Sequence, residues 1–213
     1  MTETPIRDAV ETMTAGSDRQ DVWAREQAEQ HRLHVHAAVS PGETFPDAEL
    51  LTPLSEAVRL SEVIGGRTAV VVFYRGAWCP YCNLALSAYR RELSPILVER
   101  DAVLVAVSPQ KPDGSLTMKQ KHDLDFAVLS DPGNRLASLL GILTRPSDDA
   151  RHAQLEHGLD LEQVNADGTT TLPMPTTAIV DRMGNLAWID VHPDYSSRTE
   201  PSEIVAAMDR LGL

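Results

Sequence analysis

"TAVVVFYRGAWCPYCN", residues 68–83, decides how the rest of the 213-residue chain is read. Its first seven residues, Thr68 to Tyr74, are an unbroken run of apolar and β-branched side chains. Such a strand is buried on both faces, as in a parallel sheet with helices above and below. Arg75 to Trp78 then turn the chain. The step from Cys79 to Pro80 opens a helix, because the N–H that proline lacks has no partner in a first turn anyway. Both cysteines of the sequence fall here, one helical turn apart.

Outward from this stretch, strands and helices alternate. Ala102–Val107 is a second buried strand, 113–124 a short helix and Phe126–Leu129 a short strand. Asp131 and Pro132 start a helix that Gly141 ends. Ser147 caps another, with Asp148 and Asp149 in its first turn and Gly158 at its end. Thr176–Asp181 and Leu186–Val191 form a hairpin about "RMGN" (182–185). Pro201 opens a last helix, with Ile204, Val205, Met208 and Leu211 facing inward. This order predicts an α/β fold: a central mixed sheet with helices on both faces. The first forty residues stand apart. Thr4 and Pro5 start a helix with an Ile6, Ala9, Val10, Met13 stripe, and a second helix is expected over about 17–33. The expected organisation is a helical extension over 1–40 and one α/β domain over 41–213.

Composition narrows the function. There are 31 acidic residues against 19 basic ones, a net charge of −12, so nucleic acid and anionic membranes are not expected partners. The sequence has no apolar run of membrane-spanning length and no apolar leader at its start, and is read as cytoplasmic. In a reducing compartment a close cysteine pair is catalytic or metal-binding rather than a staple. A tetrahedral metal site needs four ligands, and the remaining ones would have to come from distant histidines such as His31, His34 and His36. No metal and no cofactor is therefore expected.

The pair itself has a direction. Cys79 stands at the helix N-cap, where unpaired N–H groups and the helix dipole favour a thiolate. Cys82 begins the stripe that continues through Leu86, Tyr89, Leu93 and Leu97, so it is expected to be the sheltered sulfur. Helix position thus makes Cys79 the attacking sulfur and Cys82 its resolving partner. Arg75, in the turn beside them, is a cation that lowers a thiolate pKa. Trp78 and Tyr81 flank the pair as an expected docking surface for substrate or reductant.

The strand, the "WCPYC" turn and a later proline before a hairpin resemble the thioredoxin superfamily. That resemblance implies a cis-proline beside the cysteines; Pro175 stands at the matching place, with Pro173 as the alternative. "FYRGAWCPYCN" (73–83), "VAVSPQ" (105–110), "VLSDPGNRLASLLGI" (128–142), "MPTTAIVDRMGNL" (174–186) and "HPDYSSRTEPSEI" (192–204) together resemble the peroxiredoxin-like branch of the AhpC/TSA family. The resemblance implies a thioredoxin-like fold and a thiol-dependent peroxidase. Such an enzyme takes hydrogen peroxide or organic hydroperoxides and cycles through a sulfenic acid and an intramolecular disulfide. It is re-reduced by an external dithiol, either a thioredoxin-like protein or a low-molecular-weight thiol. The family's Pro-x3-Thr-x2-Cys motif, set on this chain without gaps, puts Arg75 at the Pro, Cys79 at the Thr and Cys82 at the peroxidatic cysteine. That register makes Cys82 the attacker, against the helix argument. With the motif's Thr and the family's later Arg missing, the groups left to bond the peroxide oxygens are Arg75, the first-turn N–H groups, Thr176 or Thr177, and Tyr81. The Pro-Tyr dipeptide matches glutaredoxins, so thiol–disulfide exchange is the alternative activity and a redox-sensing binding protein the third. The N-terminal helices are the candidates for a homodimer contact.

Overall fold

The structure of the protein, a computed structural model, describes residues 4–15, 25, 26, 28, 29 and 37–213. Most of the second N-terminal helix expected over 17–33 lies outside these residues. Seven strands form one sheet in the order β2-β1-β5-β4-β3-β8-β9. They are β1 (Glu49–Leu51), β2 (Ala57–Arg59), β3 (Thr68–Phe73), β4 (Ala102–Ser108), β5 (Ala127–Ser130), β8 (Thr176–Val180) and β9 (Leu186–Val191). A separate ribbon pairs β6 (Leu143–Thr144) with β7 (Leu172–Pro173). The order β5-β4-β3 is parallel, and β8 and β9 join antiparallel, so the sheet is mixed. β1 and β2 went unread in the sequence because three-residue strands carry too little pattern to count.

All six residues of β3 are buried, as the apolar run predicts for a central strand. Its side chains alternate between two cores. Ala69, Val71 and Phe73 face one, with Leu50, Leu60, Leu136 and Ile142. Val70, Val72 and Tyr74 face the other, which holds Cys79, Cys82 and the helices around them.

The helices are α1 (Ile6–Thr14), α2 (Leu60–Ile64), α3 (Pro80–Ala88), α4 (Ser94–Glu99), α5 (Pro112–Lys121), α6 (Arg135–Leu139), α7 (Asp148–Glu156), α8 (Leu161–Val164) and α9 (Pro201–Leu211). Ser147 caps α7 by accepting the Ala150 N–H at 3.2 Å. Asp131 takes three N–H groups at the start of α6, from Arg135, Leu136 and Ala137. Between α3 and α4 the chain widens into one π-turn, Tyr89–Leu93. Pro95 accounts for it: its ring has no N–H and clashes with the carbonyl four residues back. The turn delivers the Tyr89 hydroxyl to the Thr199 carbonyl at 2.7 Å. In α1 the stripe is narrower than expected: Ile6 and Val10 are buried and Met13 is exposed. Ile6 and Val10 share the core that holds the two cysteines. In α9, Ile204 and Met208 are buried while Leu211 is exposed. No helix among the described residues is long and apolar enough to cross a membrane.

Candidate active site

The turn between β3 and α3 is held from two sides. Gln110, just past β4, accepts the Ala77 N–H on its side-chain oxygen at 2.6 Å. Asn83, in α3, donates its amide to the Ala77 carbonyl at 3.2 Å. Gly76 has φ +149° here, and a Cβ on it would strike the Trp78 indole nitrogen and come within 2.7 Å of the Gln110 oxygen. The turn therefore needs glycine at that position.

Cys79 is the N-cap of α3, and its carbonyl accepts the N–H groups of Cys82 and Asn83, each at 3.1 Å. Its sulfur makes no cap hydrogen bond. Both cysteines are free and both are buried, Cys79 at 1% exposure and Cys82 at 0%. The difference in exposure that singled out Cys79 as attacker is therefore absent: loops and side chains from the far end of the chain cover the helix start.

The decisive contact comes from Arg198. Its Nη2 donates to Cys82 Sγ at 3.0 Å and lies 3.9 Å from Cys79 Sγ. Its Nη1 donates to the carbonyls of Tyr195 and Ser197, which fixes the fork. Burial raises the cost of a charge on Cys82. The Cys79 thiol, the Arg198 cation, the Arg75 backbone N–H and the Arg75 cation outweigh it and hold Cys82 well below the ordinary thiol range. Burial, together with the neighbouring Cys82 sulfur, pushes Cys79 well above it. Charge on the pair is thus favoured at Cys82, the sulfur nearer Arg198, over Cys79.

The other expected residues divide. Arg75 sits beside the sulfurs and is clamped between two rings, its guanidinium carbon 5.1 Å from the Trp78 centroid and 4.7 Å from that of Tyr195. It has no carboxylate partner among the described residues, and its Nε is buried without a hydrogen bond. Tyr81 packs against Tyr195 with ring centroids 5.9 Å apart. Trp78, Arg75, Tyr195 and Tyr81 are therefore one continuous aromatic patch around the site. Thr176 pairs with Phe73 at the end of β3, and its hydroxyl is spent on the Met174 carbonyl at 3.0 Å. Pro175 precedes β8, and its carbonyl accepts the His192 N–H at 2.8 Å. No cis peptide bond occurs among the described residues, so the cis-proline expected at Pro175 or Pro173 is trans. A trans X–Pro bond is the lower-energy form and needs no support from its surroundings.

Sequence reading missed Arg198, Tyr195 and the network beneath them. Asp190 accepts from the Thr199 hydroxyl at 2.8 Å and lies 2.9 Å from His192 Nε2. The His192 hydrogen bond, against partial burial, holds Asp190 below the usual carboxylate range. In the sequence, "HPDYSSRTEPSEI" (192–204) stands out only through the family resemblance. Its arginine lies 116 residues from Cys82, so no local pattern links the two.

The mixed sheet with helices on both faces, and a dithiol buried at a helix start beside its central strand, make a thioredoxin-like fold. The AhpC/TSA family model matches residues 41–189, and the chain belongs to that family. It is 32% identical to peroxiredoxin Bcp of Bacillus subtilis (strain 168) over 101 residues, 47% of this chain and 63% of that protein. It is 25% identical to the chloroplastic peroxiredoxin Q of Gentiana triflora over 172 residues, 81% of this chain and 66% of that one. The matches thus span just under two-thirds of these relatives. Among solved structures, peroxidoxin BcpB from Mycobacterium tuberculosis superposes with a TM-score of 0.61 at 18% identity, covering 82% of this chain and 97% of that one. A peroxiredoxin-like protein from Aquifex aeolicus gives 0.62 at 16%, covering 83% and 92%. α1, Tyr195, Arg198 and Thr199 all lie outside the family-matched span.

Proposed function

We propose that the protein is a thiol-dependent peroxidase in which Cys82 attacks and Cys79 resolves. The observation that carries this reading is the Arg198 Nη2 contact to Cys82 Sγ at 3.0 Å, with the Cys79 thiol one helical turn away. The Cys82 thiolate attacks the terminal oxygen of a hydroperoxide. An S–O bond forms and the O–O bond breaks. The alkoxide or hydroxide that leaves takes a proton, giving an alcohol or water and Cys82 sulfenic acid. The Cys79 sulfur then displaces the hydroxyl as water, and a Cys79–Cys82 disulfide forms. An external dithiol restores both thiols by two exchange steps, ending as a disulfide itself.

Arg198 and Arg75 are the cations able to stabilise charge on the leaving oxygen, with the Arg75 N–H beside them. Trp78 and Tyr81 belong to the patch on which a substrate or reductant would dock. A dithiol re-reduced at every turnover suits a reducing compartment, which supports a cytoplasmic setting.

Stopped-flow oxidation of the reduced protein by hydrogen peroxide tests the activity; a rate constant no larger than that of free cysteine would sink it. Cys79→Ser and Cys82→Ser test the order. The Cys79→Ser protein should trap a dimedone-reactive sulfenic acid and the Cys82→Ser protein should not; the opposite pattern makes Cys79 the attacker. The CPYC turn at a helix N-cap favours thiol–disulfide exchange as a second reading. Burial of both sulfurs opposes it, and an insulin-reduction assay separates the two.

A further inference from the structure

Glu200 is a buried carboxylate, 5% exposed, that the thiol chemistry does not use. Its two oxygens accept the N–H groups of Ile6 and Arg7, each at 2.9 Å. These are the first two residues of α1, so Glu200 caps a helix from the other end of the chain. It also caps α9: its side chain takes the Glu203 N–H, and Glu203 takes the Glu200 N–H at 2.9 Å. Two helix N-termini converge on one carboxylate, and both dipoles favour its charge. The two residues before it are anchored as well, Thr199 to Tyr89 and Arg198 to Cys82.

The consequence falls on Arg198. Helix α1 and residues 192–203 face each other across a cleft of about 560 Å³, with Ile6 and Val10 on one wall and Arg198 on the other. With α1 in place Arg198 is 9% exposed. Without α1 that wall would open to bulk water. The attraction between a cation and a thiolate weakens in proportion to the local dielectric, so a wetter Arg198 would hold Cys82 less firmly as a thiolate.

We propose that Glu200 is a positioning residue for the cysteine site: by holding α1 against the 192–200 segment it confines the water that reaches Arg198 to the cleft between them. The proposal rests on the reading that Cys82 is the thiolate. The titratable and charged groups facing Cys82 are Cys79, Arg75, Arg198 and Tyr74. Glu200 acts on the pair through the setting of Arg198, two residues before it in the chain.

The test uses the full-length reduced protein and no peroxide. Thiolate absorbance near 240 nm is titrated for the wild type, Glu200→Gln and Val10→Asp, and alkylation by iodoacetamide is timed across the same pH range. Glu200→Gln removes the shared anionic acceptor. Val10→Asp breaks the docking of α1 at its apolar face and leaves Glu200 intact. Both variants should move the Cys82 midpoint upward by roughly one pH unit. Alkylation should slow about tenfold below the wild-type midpoint and recover above the variant one. Midpoints that coincide with the wild type's, or a slowing that is equal at every pH, overturn the proposal. If Glu200→Gln does not fold, Val10→Asp decides. A wild type with no thiol titrating below the ordinary range would instead overturn the assignment of Cys82 as thiolate, and the proposal with it.

Discussion

In the proposed mechanism the reactivity of this dithiol turns on Arg198, which contacts Cys82 Sγ at 3.0 Å. Its fork spans two backbone carbonyls and one sulfur, a set of partners that a lysine ammonium on a flexible stem cannot reproduce. Arg198→Met leaves Cys82 buried with less positive charge, and oxidation by hydrogen peroxide at pH 7 should fall about a hundredfold, with Arg198→Lys in between. A Met variant as fast as the wild type would show that Arg75 alone suffices. The pH profile has a fixed sign. Because Cys82 is depressed, the rate should be level through neutral pH and fall only as pH drops through the Cys82 midpoint. Were Cys79 the attacker, with its raised value, the rate would still be climbing above pH 9. A stopped-flow series across pH 4–10 separates the two.

Among the elements, the β3–α3 turn carries the tightest constraint. It must bring Arg75 beside Cys82 while Gln110 holds Ala77, and Gly76 allows both. Gly76→Ala forces a methyl against both the Trp78 indole and the Gln110 side chain at a positive φ. Urea unfolding should show a loss of more than ~1 kcal/mol, and the Cys82 titration should move upward. Ser147→Ala is the matched control on α7: a lost cap costs about 1 kcal/mol and should leave the thiol titration where it is. Elements with strong local signals were legible in the sequence. The six-residue apolar strand, the Pro80 helix start and the Ser147 cap all follow from neighbouring residues. The π-turn was not read, because Pro95 lies inside the expected apolar stripe and the stripe alone does not say where a helix widens.

For the molecule as a whole, the site joins three distant parts of the chain: the 75–82 turn, the 190–200 segment and α1. In the proposed cycle, disulfide formation removes the negative charge that faces Arg198. A buried guanidinium left with neutral partners costs several kcal/mol, while a cross-link across so short a loop constrains the unfolded chain only slightly. The oxidised protein should therefore melt below the reduced one by roughly 5 °C, as measured by calorimetry with and without a phosphine reductant. A higher melting temperature on oxidation would mean that Arg198 does not depend on the thiolate.

By itself the sequence determined the central strand, the helix start that brings two thiols within one turn, the alternation that makes a mixed α/β sheet, and the candidate chemistry. Each rests on contacts between residues close in sequence, which leave a periodic or positional trace. The sequence did not determine which sulfur is charged. Helix position pointed to Cys79 and the family register to Cys82. Only the tertiary structure brings Arg198 to 3.0 Å from Cys82 and buries both sulfurs alike. Electrostatics at a buried site depends on distance in space and on exclusion of water, and neither is written into local sequence.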